Sequence, residues 1–186
     1  MLVHTIKEVR NKIAEWKKEG LKIGLVPTMG ALHSGHASLI KKAVETCDKV
    51  VVSVFVNPIQ FCPGEDYEKY PRTIEDDTKL AEKIGAAMVF APTPDEMYGK
   101  GQRLSNDTLA YVVPPFFYVD KLCGKSRVGH FDGVCTVVAK LFNITQPDYA
   151  FFGQKDAQQL IIIKKFVKDL TSIPVINSSC NSIDRK

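Results

Sequence analysis

The sequence lacks the features that would point to a membrane, a secretory pathway or a nucleic acid. No stretch approaches the roughly 20 consecutive apolar residues of a membrane span, and the first residues lack the charged and apolar regions of a signal peptide. No basic run with interleaved aromatic residues occurs, so nucleic acid is not an expected partner. The five cysteines are odd in number and show no Cys-x-x-Cys spacing. This usage favours reduced thiols and predicts a cytoplasmic protein.

The composition is that of a globular domain. The chain has 186 residues, enough for one domain with a real core, and its apolar and charged fractions are 45% and 25%. The net charge of +4 is mild and would suit an anionic substrate. We find no internal repeat and no low-complexity segment.

Apolar runs that predict strands alternate with amphipathic stretches that predict helices. Thr5 and Glu8 form a capping box for the first helix, which Gly20 ends. Thr73 and Gly85 are the expected bounds of a later helix. The predicted strands span residues 22–26, 50–56, 87–91, 148–152 and 173–176. This alternation predicts right-handed crossovers in a mostly parallel, doubly wound α/β sheet.

The segment 93–130 is the least regular part of the chain. We expect a short strand near residues 111–113, a helical turn at 118–123, and a segment that folds over a site as a lid. Beyond it, the apolar spacing at 134–142 and 160–170 predicts two further helices.

The most informative stretch is the turn at residues 27–36, which follows an apolar run and precedes an amphipathic helix. Gly30 and Gly35 would let the backbone approach a ligand closely. His33 and His36, three residues apart, would point the same way on a first helical turn. The helix amino terminus adds N–H donors and partial positive charge, so the stretch suits a phosphate group. A zinc pair and an ordinary turn stay open, although no third metal ligand stands at a convincing spacing.

Three polar turns, at residues 29–36, 57–61 and 153–159, follow three different predicted strands. A doubly wound sheet gathers the carboxyl ends of its strands along one edge, where such folds bind their ligands. We therefore expect the three turns to meet, although they lie far apart in sequence.

The second and third turns carry candidate binding side chains. Asn57 and Gln60 have neutral amides that can donate to a carboxylate and accept from a hydroxyl, or that can simply cap a loop. Gly153 permits close approach, Lys155 supplies a charge for phosphate oxygens, and Asp156 can accept from ribose hydroxyls. A surface Lys–Asp pair is the commoner explanation for such a dipeptide.

Two further clusters carry charge. Arg127, with Lys125 and His130 nearby, stands in a glycine-containing loop that could hold an anionic ligand or form a solvated turn. Asp76 and Asp77 fall in the first turn of a predicted helix, where acids complement the helix dipole. From the residues alone, the dipole explanation is the stronger one for these acids.

The string Pro-Thr-Met-Gly-Ala-Leu-His-x-Gly-His at residues 27–36 resembles the signature of adenylate-forming nucleotidyltransferases related to class I aminoacyl-tRNA synthetases. Within that group it is similar to the pantoate–β-alanine ligases. Further strings of that family follow in the same order: Phe-Val-Asn-Pro-x-Gln-Phe at 55–61, Tyr-Pro-Arg-Thr at 70–73 and Phe-Gly-x-Lys-Asp-x-Gln-Gln-Leu at 152–160. Another, around Arg127, has Val128 where the family has proline, which makes that loop less rigid.

The resemblance implies a Rossmann-like nucleotidyltransferase fold. It also implies condensation of (R)-pantoate with β-alanine, through a pantoyl adenylate, with ATP as substrate, Mg²⁺, and a homodimer. The implied nucleotide contacts are Met29, Gly30, Ala31, Leu32, His33, Ser34, Gly35, His36, Gly153, Gln154, Lys155 and Asp156. Of these, His33, His36 and Lys155 would act in catalysis. The implied pantoate and β-alanine contacts are Asn57, Gln60, Tyr70, Arg127 and Gln159. Asp76 and Asp77 would lie near the nucleotide's magnesium.

The resemblance stops near the C terminus. Residues 1–176 are expected to form an ATP- and pantoate-binding domain, and 177–186 a divergent tail where the family continues into a phosphate-clamping segment and a lid domain. Two alternatives stay open. One is a different nucleotidyltransferase, against which Gln60 and Gln159 argue because neutral amides suit a small hydroxy acid better than a second phosphate. The other is a truncated, catalytically impaired nucleotide-binding or dimerisation domain.

Overall fold

The fold is a six-stranded sheet covered by helices on both faces. The computed structural model describes residues 1–101, 108–170 and 173–178, and every strand pairing within them is parallel. The strands are β1 (Leu2–Val3), β2 (Ile23–Thr28), β3 (Lys49–Val54), β4 (Met88–Phe90), β5 (Tyr149–Gly153) and β6 (Val175–Ser178). The doubly wound α/β sheet expected from the sequence is confirmed.

The strand order places one crevice at the centre of the sheet. The strands lie in the order β1-β4-β3-β2-β5-β6. The chain therefore moves outward from β2 in both directions, through β3 and β4 on one side and through β5 and β6 on the other. The point where the direction reverses lies between β2 and β5, and sheets of this kind bind ligands at the carboxyl ends of such strands.

Eight helices connect and flank these strands within the described residues. They are α1 (Ile6–Lys18), α2 (Ser34–Thr46), α3 (Ile74–Ile84), α4 (Pro94–Tyr98), α5 (Phe116–Val119), α6 (Leu122–Ser126), α7 (His130–Thr145) and α8 (Ala157–Leu170). The predicted capping box at Thr5 and Glu8 is confirmed, with both reciprocal hydrogen bonds present. Within the described part of the chain, no helix is both long and apolar enough to cross a membrane.

The irregular segment differs from the prediction. Residues 111–113 form no strand, because the backbone N–H of Val112 donates to Thr136 Oγ1 at 2.9 Å and so is satisfied by α7. The single helical turn expected at 118–123 is two short helices, α5 and α6. Residues 102–107 of the expected lid lie outside the described residues.

Two elements escaped prediction because they are short. β1 has two residues, too few to show a period. In α4, Pro94 occupies the first turn, and the Thr93 side chain accepts from the Glu96 N–H at 3.2 Å. The same proline had indicated only the end of β4, but proline also fits a helix amino terminus.

The start of α8 and the end of β6 differ from the bounds expected from the sequence, and both lie near predicted site residues. α8 begins at Ala157, so Gln159 lies in its first turn and not in the preceding loop. β6 runs to Ser178 and pairs Asn177 with Phe152. The divergent tail expected at 177–186 therefore begins inside the sheet, and its residues 179–186 lie outside the described residues.

Both faces of the sheet are buried. Leu25 and Val51 pack in a cluster with α1, α7 and α8, whereas their neighbours Val26 and Val52 pack in a second cluster with α2 and α3. Alternate residues of a strand point to opposite faces, so the apolar run in β3 is explained by cover on both sides.

Candidate functional site

Three turns meet at the carboxyl ends of β2, β3 and β5. β2 pairs directly with both other strands. Gln60, in the turn after β3, donates from Nε2 to the sulfur of Met29, in the turn after β2, at 3.0 Å. Lys155 and Asp156, after β5, both act electrostatically on His36. The predicted convergence of the three turns is thus confirmed.

The turn after β2 has a tight, left-handed backbone. Gly30 has φ of 90° and Ala31 has φ of 50°. A Cβ placed on Gly30 would lie 3.0 Å from Val54 Cγ1 and 3.1 Å from Asp77 Oδ2. The left-handed backbone therefore favours glycine at position 30, and a Cβ there would also crowd Val54 and Asp77.

Asp77 holds this turn in place. Its side chain accepts from the Ala31 N–H at 3.0 Å and from the Leu32 N–H at 2.7 Å, and the residue is 2% exposed. Thr73 stands at the amino cap of α3 as predicted, but its hydroxyl donates to Asp77 at 3.3 Å and does not cap the helix. Asp77 is a buried anchor for the turn.

The two acids expected near magnesium do not share a site. The side chain of Asp76 is 82% exposed and lies 3.9 Å from Lys79 Nζ. Both oxygens of the neighbouring Asp77 already accept backbone N–H groups. Asp77 therefore does not fit a metal ligand, and Asp76 alone of the pair keeps its carboxylate in solvent.

The paired histidines are fixed in orientation by backbone donors. His33 is the amino cap of α2, and its Nδ1 accepts from the Gly35 N–H at 3.0 Å. The His33 N–H in turn donates to Nδ1 of His36 at 3.3 Å, and the two ring centroids lie 4.2 Å apart. A backbone N–H can only donate, so both Nδ1 atoms accept and the proton of each neutral ring lies on Nε2.

The electrostatics keep His36 neutral. Burial, and then the nearby His33, lower the pKa of His36 to about 4. No acidic residue occupies the first turn of α2, although the charges of Asp77 and Asp156 act on His36 from neighbouring segments. The site thus presents Nε2–H donors at the positive end of a helix, which suits an anionic ligand.

The turn after β5 is open. Gln154, Lys155 and Asp156 are all exposed, whereas Gln159 is half-buried in the first turn of α8. A Cβ on Gly153 would meet nothing closer than Leu39 Cδ1 at 3.8 Å. Crowding by the protein therefore does not explain this glycine.

Asn57 is buried and fully engaged within the protein. Its Nδ2 donates to Gln60 Oε1 at 3.0 Å and to the carbonyl of Gly133 at 3.1 Å, and the residue is 1% exposed. Its Oδ1 accepts from the Tyr98 hydroxyl at 2.7 Å. These contacts make Asn57 a support for Gln60, whereas the sequence had indicated a direct contact with substrate.

Arg127 is part of a chain of contacts that ends on Gln60. Its Nε and one terminal nitrogen donate to the two oxygens of Glu65 at 2.6 and 2.7 Å. Its other terminal nitrogen lies 2.9 Å from Nε2 of His130, and Nδ1 of that histidine lies 2.7 Å from the Gln60 carbonyl. The carbonyl can only accept, so His130 carries its proton on Nδ1 and accepts from Arg127.

Both partners of Arg127 have lowered pKa values, for different reasons. The hydrogen bonds from Arg127 lower the pKa of Glu65 to about 2. Burial lowers the pKa of His130, which favours its neutral form. An anion reaching Arg127 would share the guanidinium with Glu65.

Tyr70 borders the site through an aromatic cluster. Its ring meets that of Phe61 edge to face, at 6.0 Å between centroids. Burial, and then the charge of Asp77, raise the pKa of Tyr70. Its hydroxyl is therefore a neutral donor at physiological pH.

A sequence model of the pantoate-beta-alanine ligase family matches residues 1–182. The chain belongs to this family. Pantothenate synthetase from Clostridium novyi is 58% identical over 168 residues, which are 90% of this chain and 57% of that protein. The one from Ruminiclostridium cellulolyticum is 56% identical over the same shares. The chain thus spans somewhat more than half the length of these curated relatives.

Solved structures of the family share the fold. Pantothenate synthetase from Thermus thermophilus superposes with a TM-score of 0.85 at 41% identity, covering 96% of this chain and 60% of that one. Pantoate-beta-alanine ligase from Francisella tularensis, solved with Beta-gamma ATP and Beta-alanine, gives a TM-score of 0.89 at 38% identity. That match covers 100% of this chain and 68% of the Francisella chain.

Three residues that support the site were not predicted from the sequence. Tyr98 and Glu65 act through partners 41 and 62 residues away, so no local pattern marks them. Gln158 donates from Nε2 to the carbonyls of Tyr118 at 3.0 Å and Lys121 at 2.7 Å, which fastens α8 to the α5–α6 segment. A glutamine pair was visible in the sequence, but only its second member had been assigned a role.

Proposed function

We propose that the chain binds ATP and (R)-pantoate and takes part in the ATP-dependent condensation of pantoate with β-alanine. The observation that carries this proposal is the pair of imidazoles at the amino terminus of α2, both with Nδ1 engaged by backbone donors. Their Nε2–H groups suit phosphate oxygens, and Lys155 lies in the adjoining turn. The Francisella relative, bound to Beta-gamma ATP and Beta-alanine, supports the same ligands.

The proposed reaction depends on charge stabilisation and needs no enzyme nucleophile. The pantoate carboxylate attacks the α-phosphorus of ATP, which gives pantoyl adenylate and releases pyrophosphate. The β-alanine amine then attacks the acyl carbon and releases AMP. Negative charge grows on phosphate oxygens in the first step, so His33, His36 and Lys155 would donate there.

Gln60 is the proposed contact for pantoate in the turn after β3. Its Oε1 is held by Asn57 and one Nε2–H is directed to Met29. The second Nε2–H can donate to a hydroxyl or carboxylate oxygen of the hydroxy acid. We propose Gln159 as a second contact of the same ligand, and Tyr70 and Arg127 as further substrate-binding residues.

Magnesium enters the proposal with the nucleotide. Magnesium in nucleotide enzymes is usually held by one or two carboxylates together with phosphate oxygens, and it offsets the phosphate charge. Among the described residues, no three His, Cys, Asp or Glu side chains cluster as a metal cage. Of the predicted pair, Asp76 is the carboxylate that fits, because Asp77 is buried against the turn.

Exchange of labelled pyrophosphate into ATP tests the proposal. Exchange that depends on pantoate supports pantoyl adenylate formation by this chain. Exchange only with another acid supports a different nucleotidyltransferase. ATP binding without exchange identifies a non-catalytic nucleotide-binding domain. That rival is specific, because the chain matches only 57% of the Clostridium novyi relative.

We also propose a homodimer in the cytoplasm. The family resemblance supports the dimer, and large apolar side chains are exposed on the α5–α6 segment, with Phe116 at 78% and Phe117 at 68%. Sedimentation equilibrium should give twice the chain mass, and Phe116→Glu should reduce it to the chain mass if that segment forms the contact.

A further inference from the structure

Tyr98 ends α4, beyond β4, and reaches the site from outside all three ligand turns. The residue is 6% exposed. Its ring packs against Phe55 at 6.1 Å between centroids, and Lys140 Nζ lies 5.6 Å from the ring centre. Its hydroxyl donates to Asn57 Oδ1 at 2.7 Å in a buried environment. Burial raises the pKa of Tyr98, so the hydroxyl keeps its proton.

The Gly133 carbonyl, which cannot donate, determines which atoms donate and which accept along this chain of hydrogen bonds. The carbonyl of Gly133 can only accept, so the atom of Asn57 that faces it at 3.1 Å must be the amide nitrogen. Asn57 Oδ1 must then face Tyr98, which has a proton to donate. The second N–H of Asn57 faces Gln60, whose nearer atom must therefore be Oε1.

The same chain fixes what Gln60 shows to a ligand. With Oε1 turned inward, Nε2 lies on the side of Met29, at 3.0 Å from its sulfur. A primary amide has two N–H donors, and Met29 takes only one of them. Gln60 therefore keeps a second N–H donor beyond the one directed to Met29, and such a donor selects an oxygen acceptor and disfavours an ammonium group.

We propose that Tyr98 is a positioning residue that holds Asn57, and through it Gln60, so that Gln60 presents its N–H to the oxygens of the hydroxy acid. This inference rests on the proposed function, because it takes Gln60 as the pantoate contact. The inference adds that Tyr98, at the end of α4, determines whether Gln60 accommodates an oxygen of pantoate or the amine of β-alanine. Tyr98 touches no ligand itself.

The first test needs no variant. In the wild-type chain, nuclear Overhauser contacts should link the Gln60 side-chain NH₂ to the Met29 methyl group. Contacts of that NH₂ to Asn57 in their place would show the reverse amide orientation and overturn the inference.

The second test uses Tyr98→Phe, which keeps the ring and removes the donor. Loss of one buried hydrogen bond should weaken pantoate binding about tenfold by calorimetry. ATP binding should change less than about twofold, because the donors that fix His33 and His36 are backbone N–H groups of their own turn. Tyr149→Phe, a half-buried tyrosine in β5, is the matched control and should change neither constant.

The outcomes separate the inference from the proposed function. Wild-type chain that binds no pantoate defeats the proposed function, and the Overhauser contacts still decide the amide orientation. Wild-type and Tyr98→Phe chains that bind pantoate equally well defeat the inference alone. An equal loss of pantoate and ATP binding also defeats it, because that pattern indicates a general structural role.

Discussion

The backbone N–H of His33 donates to Nδ1 of His36 at 3.3 Å, with the two ring centroids 4.2 Å apart. This contact ties the protonation of one imidazole to the cap of the helix that carries both. A proton added to Nδ1 of His36 would face a donor, so protonation of His36 opposes the observed turn.

The first prediction concerns pH and stability. The pKa of His36 is about 4 in the folded chain, below the ordinary value of 6.5. Between these values the unfolded chain binds the proton and the folded chain does not, so this residue makes stability rise with pH across that window. The melting temperature of the wild type should therefore fall further between pH 7 and pH 4.5 than the melting temperature of His36→Gln. An imidazole titration of His36 near 6.5 by NMR would contradict this.

The second prediction concerns catalysis by the same residue. His36→Ala removes an Nε2–H donor and should slow pyrophosphate exchange by about 10²–10³-fold, with pantoate affinity changed far less. His4→Ala is the control, because His4 lies at the edge of the sheet, 2.7 Å from the Ala91 carbonyl. A large loss of pantoate binding with normal turnover would contradict the assigned role.

The third prediction separates the two adjacent acids. Asp77→Ala leaves the Ala31 and Leu32 N–H groups without their acceptor and should lower the free energy of unfolding by about 2–4 kcal/mol in urea. Asp76→Asn should change it by less than about 0.5 kcal/mol, because that side chain is exposed. If Asp76 lies by the nucleotide's magnesium, its variant should need more Mg²⁺ for half-maximal exchange. Equal stability losses in both variants would refute the anchoring role of Asp77.

The fourth prediction contrasts two glycines. A Cβ on Gly133 would collide with the Ile59 carbonyl oxygen, so Gly133→Ala must push α7 away from the turn that carries Gln60. We expect a loss of about 1–3 kcal/mol in stability and weaker pantoate binding. Gly153→Ala should leave stability nearly unchanged, since its Cβ meets only Leu39 at 3.8 Å. If Gly153→Ala instead lowers ATP affinity, a ligand occupies the space that the protein leaves free.

The sequence predicted the sheet and the convergence of the ligand turns because both follow from local patterns. Apolar runs marked β2, β3 and β5, and topology alone brings their carboxyl ends together. It did not predict the partners of those turns. Asn57 reaches a carbonyl 76 residues away, and Arg127 a carboxylate 62 residues away, and neither pairing leaves a spacing in the chain.

The case of Asp77 shows why motif resemblance and geometry answer different questions. An acid in the first turn of a helix is most simply explained as a dipole complement with a solvated side chain, and the family resemblance implied a place near magnesium. Only the packing of α3 against the turn after β2 shows that its oxygens meet two backbone N–H groups. That packing joins residues 46 and 45 positions apart, beyond the reach of any periodicity.

β2 pairs directly with β3 and β5, so the segments that carry the proposed ligand contacts all start from one hydrogen-bonded ladder. Side chains in the turn after β2, β3 or β5 can be substituted while the backbone hydrogen bonds between these strands stay intact. The segment after β3 can therefore be altered to suit a different acid while β2, which leads into the paired imidazoles, keeps both of its ladder partners. Engineering of a new acyl specificity would begin at Gln60 and its supports.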